Sequence, residues 1–244
     1  MVEQQLMQSK KMNSDFITNK GKRKSNQDVV LIKSLGHVNN IYLLADGMGG
    51  YNNGEYAANF IISNLYKGLN TIENFDANSI QAEVDKVTKA LALENEKQES
   101  KMGATLGAVI QTNDCLHCFW VGDVKIWHIK NKKIVFESTE HNLKNELIEN
   151  KVFVEANSAK KYTHIVTRAI QNDVNKAKID YKCIEDFSKG DYILIASDGV
   201  TDAMSNHQLL DVMNSEKEVK RVLLVIDKYL KIIAKDNYSA ILIV

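Results

Sequence analysis

LGAVIQTNDCLHCFWVGDVKIWHIKNKKIVFE, from Leu106 to Glu137, is rich in β-branched and apolar residues and is interrupted at three polar points. Asn113-Asp114, Gly122-Asp123 and Asn131-Lys132 carry tight-turn chemistry. The stretch therefore predicts four strands, 106–111, 116–121, 124–129 and 133–137, joined as an antiparallel meander.

Upstream, short strands are expected near Phe16 and Ile17, at Val29 to Lys33, and at Ile41 to Ala45. Ala58, Ile61, Ile62, Leu65 and Leu69 then share one helical face, and Ile80, Val84, Val87 and Leu91 repeat that spacing. Downstream, Glu140 to Glu149 reads as helical, and the weakly patterned Lys151 to Thr163 reads as a mobile flap. Strands are expected at Ala177 to Ile184, Tyr192 to Ala196 and Tyr238 to Val244. Between the last two lie helices near Asn206 to Met213 and Lys217 to Ala234. The second of these has Val219, Val222, Ile226, Tyr229 and Ile233 as its apolar stripe. Sheets interrupted by paired helices define a layered α+β domain and not a βαβ repeat. No linker or repeat divides the chain, so 14–244 reads as one domain behind a polar, flexible 1–13.

Lys plus Arg and Asp plus Glu number 31 each, which gives no bulk reason to expect nucleic acid or a membrane surface as partner. The start lacks the apolar core of an export signal, no run is long enough to span a bilayer, and three cysteines make no disulfide framework. A cytoplasmic, monomeric protein is expected.

The chemistry concentrates in one recurring pattern. Ile41 to Ala45 runs into Asp46-Gly47-Met48-Gly49-Gly50, Tyr192 to Ser197 into Asp198-Gly199, and Phe119 to Val121 into Gly122-Asp123. Each is a buried strand with an aspartate at its tip beside glycine, and Asp236-Asn237 supplies a fourth before the last strand. Singly, each is ordinary turn chemistry. If the tips converge, each carboxylate pair at ~4 Å repels by about 4 kcal/mol at an effective dielectric of 20, so a cation is needed. All-oxygen ligation without His or Cys favours Mg²⁺ or Mn²⁺ over zinc. Arg23, in Gly21-Lys22-Arg23-Lys24-Ser25-Asn26-Gln27-Asp28, has the planar fork suited to a phosphoryl group.

In order and spacing these pieces resemble the metal-dependent protein phosphatases of type 2C, in particular the compact bacterial members. Further matching pieces are Gly54-Glu55, Gly103-Ala104-Thr105, Thr167-Arg168-Ala169, Gly190-Asp191 and Ser197-Asp198-Gly199-Val200-Thr201-Asp202. The resemblance implies a four-layer α/β/β/α sandwich that hydrolyses phosphoserine and phosphothreonine in proteins. It implies that Asp46 bridges two Mn²⁺ or Mg²⁺ ions, with the Gly47 carbonyl on one and Asp198 and Asp236 on the other. Asp123 and Asp202 match the ligands of a third, weaker ion, and Arg23 the phosphate-gripping arginine. Gln27, Asp28 and Asn237 fall in the surrounding shell or in weak metal contact. Two metals would supply the large acceleration phosphate monoesters require, by direct attack of a metal-bridging hydroxide without a phosphoenzyme.

Several positions depart from the family pattern. Gln27 replaces an acidic ligand of animal and plant relatives, Met48 a histidine proposed as general acid, Val124-Lys125 a Ser-Arg pair, and Tyr51 a histidine common in bacterial members. Lys125 therefore lacks the fork with which an arginine would support the third-metal loop. Cys115-Leu116-His117-Cys118 invites a zinc reading. However, a strand sends Cys115 and Cys118 to opposite faces and only Cys183 remains, so core packing is preferred. His37, His128, His141, His164 and His207 have no partner arguable from sequence. The rival function is a catalytically silent family member that binds phosphoproteins as a regulator. Silent members lose metal-site aspartates, and Asp46, Asp198 and Asp236 are all present.

Overall fold

A computed structural model describes residues 12–36, 39–49, 53–152 and 161–244. In chain order the elements are β1 (Ser14–Asn19), β2 (Asp28–Leu35), β3 (Asn39–Met48), α1 (Asn53–Leu69), α2 (Ala77–Lys97), β4 (Gly103–Gln111), β5 (Leu116–Val121), β6 (Lys125–Lys130) and β7 (Lys133–Glu137). There follow α3 (Leu143–Glu149), β8 (Asp180–Ile184), β9 (Tyr192–Ala196), α4 (Asp198–Thr201), α5 (Asn206–Ser215), α6 (Val219–Ile233) and β10 (Tyr238–Ile243).

Two five-stranded antiparallel sheets result, one ordered β2-β3-β4-β5-β8 and the other β1-β10-β9-β6-β7. The expected meander is thus divided. β4–β5 and β6–β7 are each hairpin neighbours, but Gly122-Asp123 carries the chain from one sheet to the other. Gly122 makes that crossing at φ +98°, where an L side chain is strained. By contrast, Asn131 and Lys132 both take positive φ and close a true two-residue hairpin.

Strand alternation explains the layering. In β3, Tyr42 and Leu44 face the core between the sheets with Val109, Cys118, Trp120, Ile126, Ile195 and Ile241. Ile41, Leu43 and Ala45 face the opposite way, onto Ile61 and Leu65 of α1 and Val84 and Leu91 of α2. On the second sheet Leu194, Ala196, Tyr238 and Ala240 face α5 and α6. Strands buried on both faces read as unbroken apolar runs, which is why β3 and β9 do so.

Three details correct the sequence reading. β3 does not end at Ala45: its ladder continues, with Asp46 opposite Thr105, Gly47 opposite Ala104 and Met48 opposite Gly103. The stripe of α6 is Val219, Val222, Leu223, Ile226 and Leu230, while Tyr229 is exposed and accepts a hydrogen bond from Gln208 Nε2 (3.1 Å). Asn13, placed in the flexible N-terminus, exchanges two backbone hydrogen bonds with Val244 (3.1 and 2.9 Å). The rest of that segment up to residue 11, most of the expected flap (153–160), Gly50, Tyr51 and His37 lie outside the described residues. Among those described, no helix is long and apolar enough to cross a membrane.

Candidate metal centre

One end of the sandwich collects the aspartates, and sheet register explains how. Asp28 begins β2 directly opposite Asp46 of β3. Gly122 packs against Thr105, the partner of Asp46, so Asp123 leaves the first sheet beside them. On the second sheet Asp198 follows β9 and Asp236 precedes β10, two paired neighbours. Helix α4 is a single turn capped by Asp202, whose amide donates to the Asp198 carbonyl (2.8 Å), so the two carboxylates rise from one short helix.

These side chains share an electrostatic field. Burial and then the charges of Asp28, Asp198, Asp123 and Asp236 push Asp46 well above the usual carboxylate range. Asp198 is pushed up to about 7 by burial, then by Asp123, Asp236, Asp202 and Asp28. Asp123 rises to about 6 through burial, with Glu140 and Asp202 adding to it. Asp28 also rises to about 6 through burial, opposed by hydrogen bonds from Ser197 and Ser239. Asp202 is raised by burial, partly offset by His164. Among the described residues no three of these carboxylates bring oxygens within 4.8 Å of one another, so no trio reaches the ~4 Å spacing considered above.

The donor set fits a hard divalent ion. It is all oxygen. Oδ1 of Asp28 is buried with no hydrogen-bond partner, while its Oδ2 accepts from Ser197 Oγ (2.8 Å). A cation would relieve both the mutual repulsion and that orphaned oxygen.

The positively charged member is engaged by a carboxylate of the same cluster. Arg23 Nε donates to Asp236 Oδ1 (2.8 Å) and Nη2 to Oδ2 (2.5 Å), a bidentate pair. The loop bearing Arg23 is held by Asn237. Its Oδ1 accepts from the Gln27 amide (2.9 Å), and its Nδ2 donates to the Lys20 (2.9 Å) and Ser25 (2.8 Å) carbonyls. Asn237 therefore positions that loop, with its amide already spent on backbone. Gln27 Nε2 donates to the Gly49 carbonyl (3.3 Å), which ties the Arg23 loop to the turn after β3.

One support was not legible in the sequence. His141 Nδ1 accepts the Gly122 amide (3.0 Å), and its own amide donates to the Gly122 carbonyl (2.8 Å). Its ring stacks on Trp120 and its Nε2 lies 3.3 Å from Asp180, which Arg168 also binds (2.8 Å). His141 thus clamps the turn that delivers Asp123. Only the pairing of β5 with β8 brings Asp180 near it. Lys125 reaches Glu137 (2.9 Å) and Glu140 (3.0 Å), so it does brace this loop, as a point charge between two carboxylates. A cavity of about 790 Å³ opens beside it, lined by residues including Glu140, His141, Arg168 and Asp180 and by none of the clustered aspartates.

A pH dependence follows. Because the folded-state values are raised, the folded protein binds more protons than the unfolded chain between about pH 4 and pH 7. Stability of the metal-free protein should therefore fall as pH rises through that window. Thermal unfolding in a chelator should show a higher midpoint near about pH 5.5 than about pH 7.5, with saturating Mn²⁺ reversing the order. Asp198→Asn should flatten the metal-free slope. A metal-free midpoint that climbs with pH would contradict the clustering.

The sequence model of the protein phosphatase 2C family matches residues 19–238. The chain belongs to that family. Protein phosphatase PhpP of Streptococcus pneumoniae is 27% identical over 219 residues, spanning 84% of this chain and 85% of the relative. The serine/threonine phosphatase of S. agalactiae superposes with a TM-score of 0.86 at 23% identity, covering 95% of this chain and 98% of that one. The catalytic domain of the phosphatase PstP, solved in complex with two manganese ions, superposes with a TM-score of 0.79 at 21% identity, covering 95% and 97%. The four-layer architecture is shared with both.

Proposed function

We propose that this chain hydrolyses phosphoserine and phosphothreonine in proteins, with Asp46, the Gly47 carbonyl, Asp198 and Asp236 holding two Mn²⁺ or Mg²⁺ ions. Asp123 and Asp202 would hold a third more weakly. The observation that carries the reading is the placement of Asp46 opposite Asp28 on one sheet and of Asp198 and Asp236 at the tips of paired strands on the other, with each raising the next. When bound, such a metal pair supplies a water nucleophile ionised at neutral pH and neutralises charge during in-line displacement. The chain's own residues supply the rest. Arg23 can exchange one bidentate anion, the Asp236 carboxylate, for another, the phosphoryl group. Asn237 and Gln27 keep its loop in register with the Gly47–Gly49 turn. Asp28, fixed by Ser197, keeps negative charge opposite Asp46. A monomer in the cytoplasm that opposes a serine/threonine kinase is the corresponding cellular setting.

The silent-regulator reading is disfavoured because the expected ligands are present and share one field. Turnover of p-nitrophenyl phosphate and of a phosphothreonine peptide should appear with Mn²⁺ and vanish with EDTA. Folded protein that binds phosphopeptide yet turns over neither substrate with Mn²⁺ would establish the silent reading instead.

A further inference from the structure

We infer that Cys115, His117 and Cys183 form a second metal site, suited to zinc, on the outer face of the β2-β3-β4-β5-β8 sheet. The sequence offered Cys115 and Cys118 as a pair, and Cys118 indeed lies in the core between the sheets. The partner that sequence distance hid is Cys183. β5 and β8 pair antiparallel with His117 directly opposite Cys183, so these two side chains stand on one face. Cys115 lies two residues before His117, and the pleat sends it to the same face. A tight turn fixes it there: the Thr112 amide donates to the Cys115 carbonyl (3.0 Å), and the Cys115 amide donates to Thr112 Oγ1 (3.2 Å).

The donor atoms are already grouped. One ligand atom from each of the three residues lies within 4.8 Å of the others, and Cys115 Sγ is 3.3 Å from His117 Nε2. With zinc–sulfur and zinc–nitrogen bonds of ~2.3 and ~2.0 Å, tetrahedral ligation places sulfur about 3.5 Å from nitrogen and about 3.8 Å from sulfur. Closing on an ion therefore takes small rotations. The imidazole is oriented for it. Nδ1 lies 2.7 Å from the Tyr181 hydroxyl, an outer-shell partner of the kind usual for a metal-bound histidine, while Nε2 faces Cys115 Sγ (3.3 Å) and Thr112 Oγ1 (3.4 Å). Phe75, from the α1–α2 connection, packs 5.9 Å from the His117 ring and walls the site. Burial holds His117 below the ordinary imidazole range, which favours the neutral ring a metal needs.

Donor chemistry separates this site from the aspartate cluster. Two thiolates and an imidazole select a thiophilic ion, whereas all-oxygen donors select Mg²⁺ or Mn²⁺. Position separates them too. Cys115 and Asp123 flank opposite ends of β5, whose six residues span roughly 20 Å at ~3.3 Å per residue. Three protein ligands leave a fourth position for water. On binding, each cysteine exchanges its S–H bond for a sulfur–metal bond and its proton goes to solvent. The physical consequence is a clamp on β8, a five-residue edge strand that this sheet holds only through β5.

The test is a Co²⁺ titration of the reduced, metal-stripped protein in excess Mg²⁺, which fills the aspartate cluster. The expected result is a near-ultraviolet thiolate-to-cobalt charge-transfer band that saturates at one equivalent and is displaced by one equivalent of Zn²⁺. The band should survive in Asp46→Asn and be lost in Cys183→Ser and, independently, in Cys115→Ser. Both cysteine variants should keep the wild-type circular dichroism and unchanged phosphatase turnover. No band in reduced wild-type protein would overturn the assignment, as would a band that persists in the Cys115→Ser/Cys183→Ser double variant or disappears in Asp46→Asn.

Discussion

Asp46→Asn should lower kcat for p-nitrophenyl phosphate by at least about 10³-fold, roughly 4 kcal/mol of barrier, while leaving the fold intact. Asp46 is the residue on which the fields of Asp28, Asp198, Asp123 and Asp236 meet. In the proposed centre it is the ligand common to both ions. Asparagine has the same shape without the charge, so manganese uptake by calorimetry should fall with the rate. Stability should move the other way. Burial and like charges already hold the Asp46 carboxyl towards its neutral form, so the neutral amide removes repulsion. The metal-free midpoint of unfolding should stay level or rise. That opposition of sign separates a lost metal ligand from a damaged fold. A variant with turnover within tenfold of wild type would remove Asp46 from the mechanism.

Gly199→Ala should lower both stability and metal affinity, although it adds a single methyl. Gly199 follows Asp198 in the one-turn helix, and a Cβ built there falls on the Asn237 carbonyl, with Tyr238 Cβ only 3.2 Å away. The obstacle is backbone, which cannot rotate aside. Alanine would gain up to ~1 kcal/mol of helix propensity, against overpacking that costs about 1–3 kcal/mol or more. A net loss of 2 kcal/mol or so corresponds to a fall of roughly 4–8 °C in unfolding midpoint for a chain of this size. Function should fall further than stability, because the clash separates Asp198 from Asp236. Weaker Mn²⁺ binding at a temperature where the variant is fully folded is the diagnostic reading. An alanine variant with wild-type midpoint and metal affinity would show that α4 and β10 are not packed as described.

How much was legible varies from residue to residue for physical reasons. The places of the strands, the two helix pairs and the turn at Asn131-Lys132 were local, because alternation, helical spacing and left-handed turn preference are properties of neighbouring residues. The end of β3 was not. Asp46-Gly47-Met48 reads as a turn, yet the ladder with β4 supplies hydrogen bonds that carry the strand through it. His141 was silent in the sequence because its partners, Gly122 and Asp180, reach it through sheet pairing. Cys183 was weighed as a zinc ligand and set aside for core packing, because only the β5–β8 pairing shows that it stands opposite His117. Arg23 was recognised as an anion-gripping fork, but not that a carboxylate of the same cluster would fill it.

By itself the sequence determined which residues could form strands and helices, that the class is α+β, and which aspartates, in what order, resemble a phosphatase centre. Only the tertiary structure decided that Gly122-Asp123 passes between sheets instead of closing a hairpin. Four apolar strands in a row satisfy either arrangement locally. The choice falls to the burial of both faces, which a single meandering sheet flanked by helices could not give Trp120, Val124 and Ile126 as it gives them here, against Ile195 and Ile241. That crossing brings carboxylates from two sheets to one end of the molecule, because long-range packing and not local preference sets where a strand tip points.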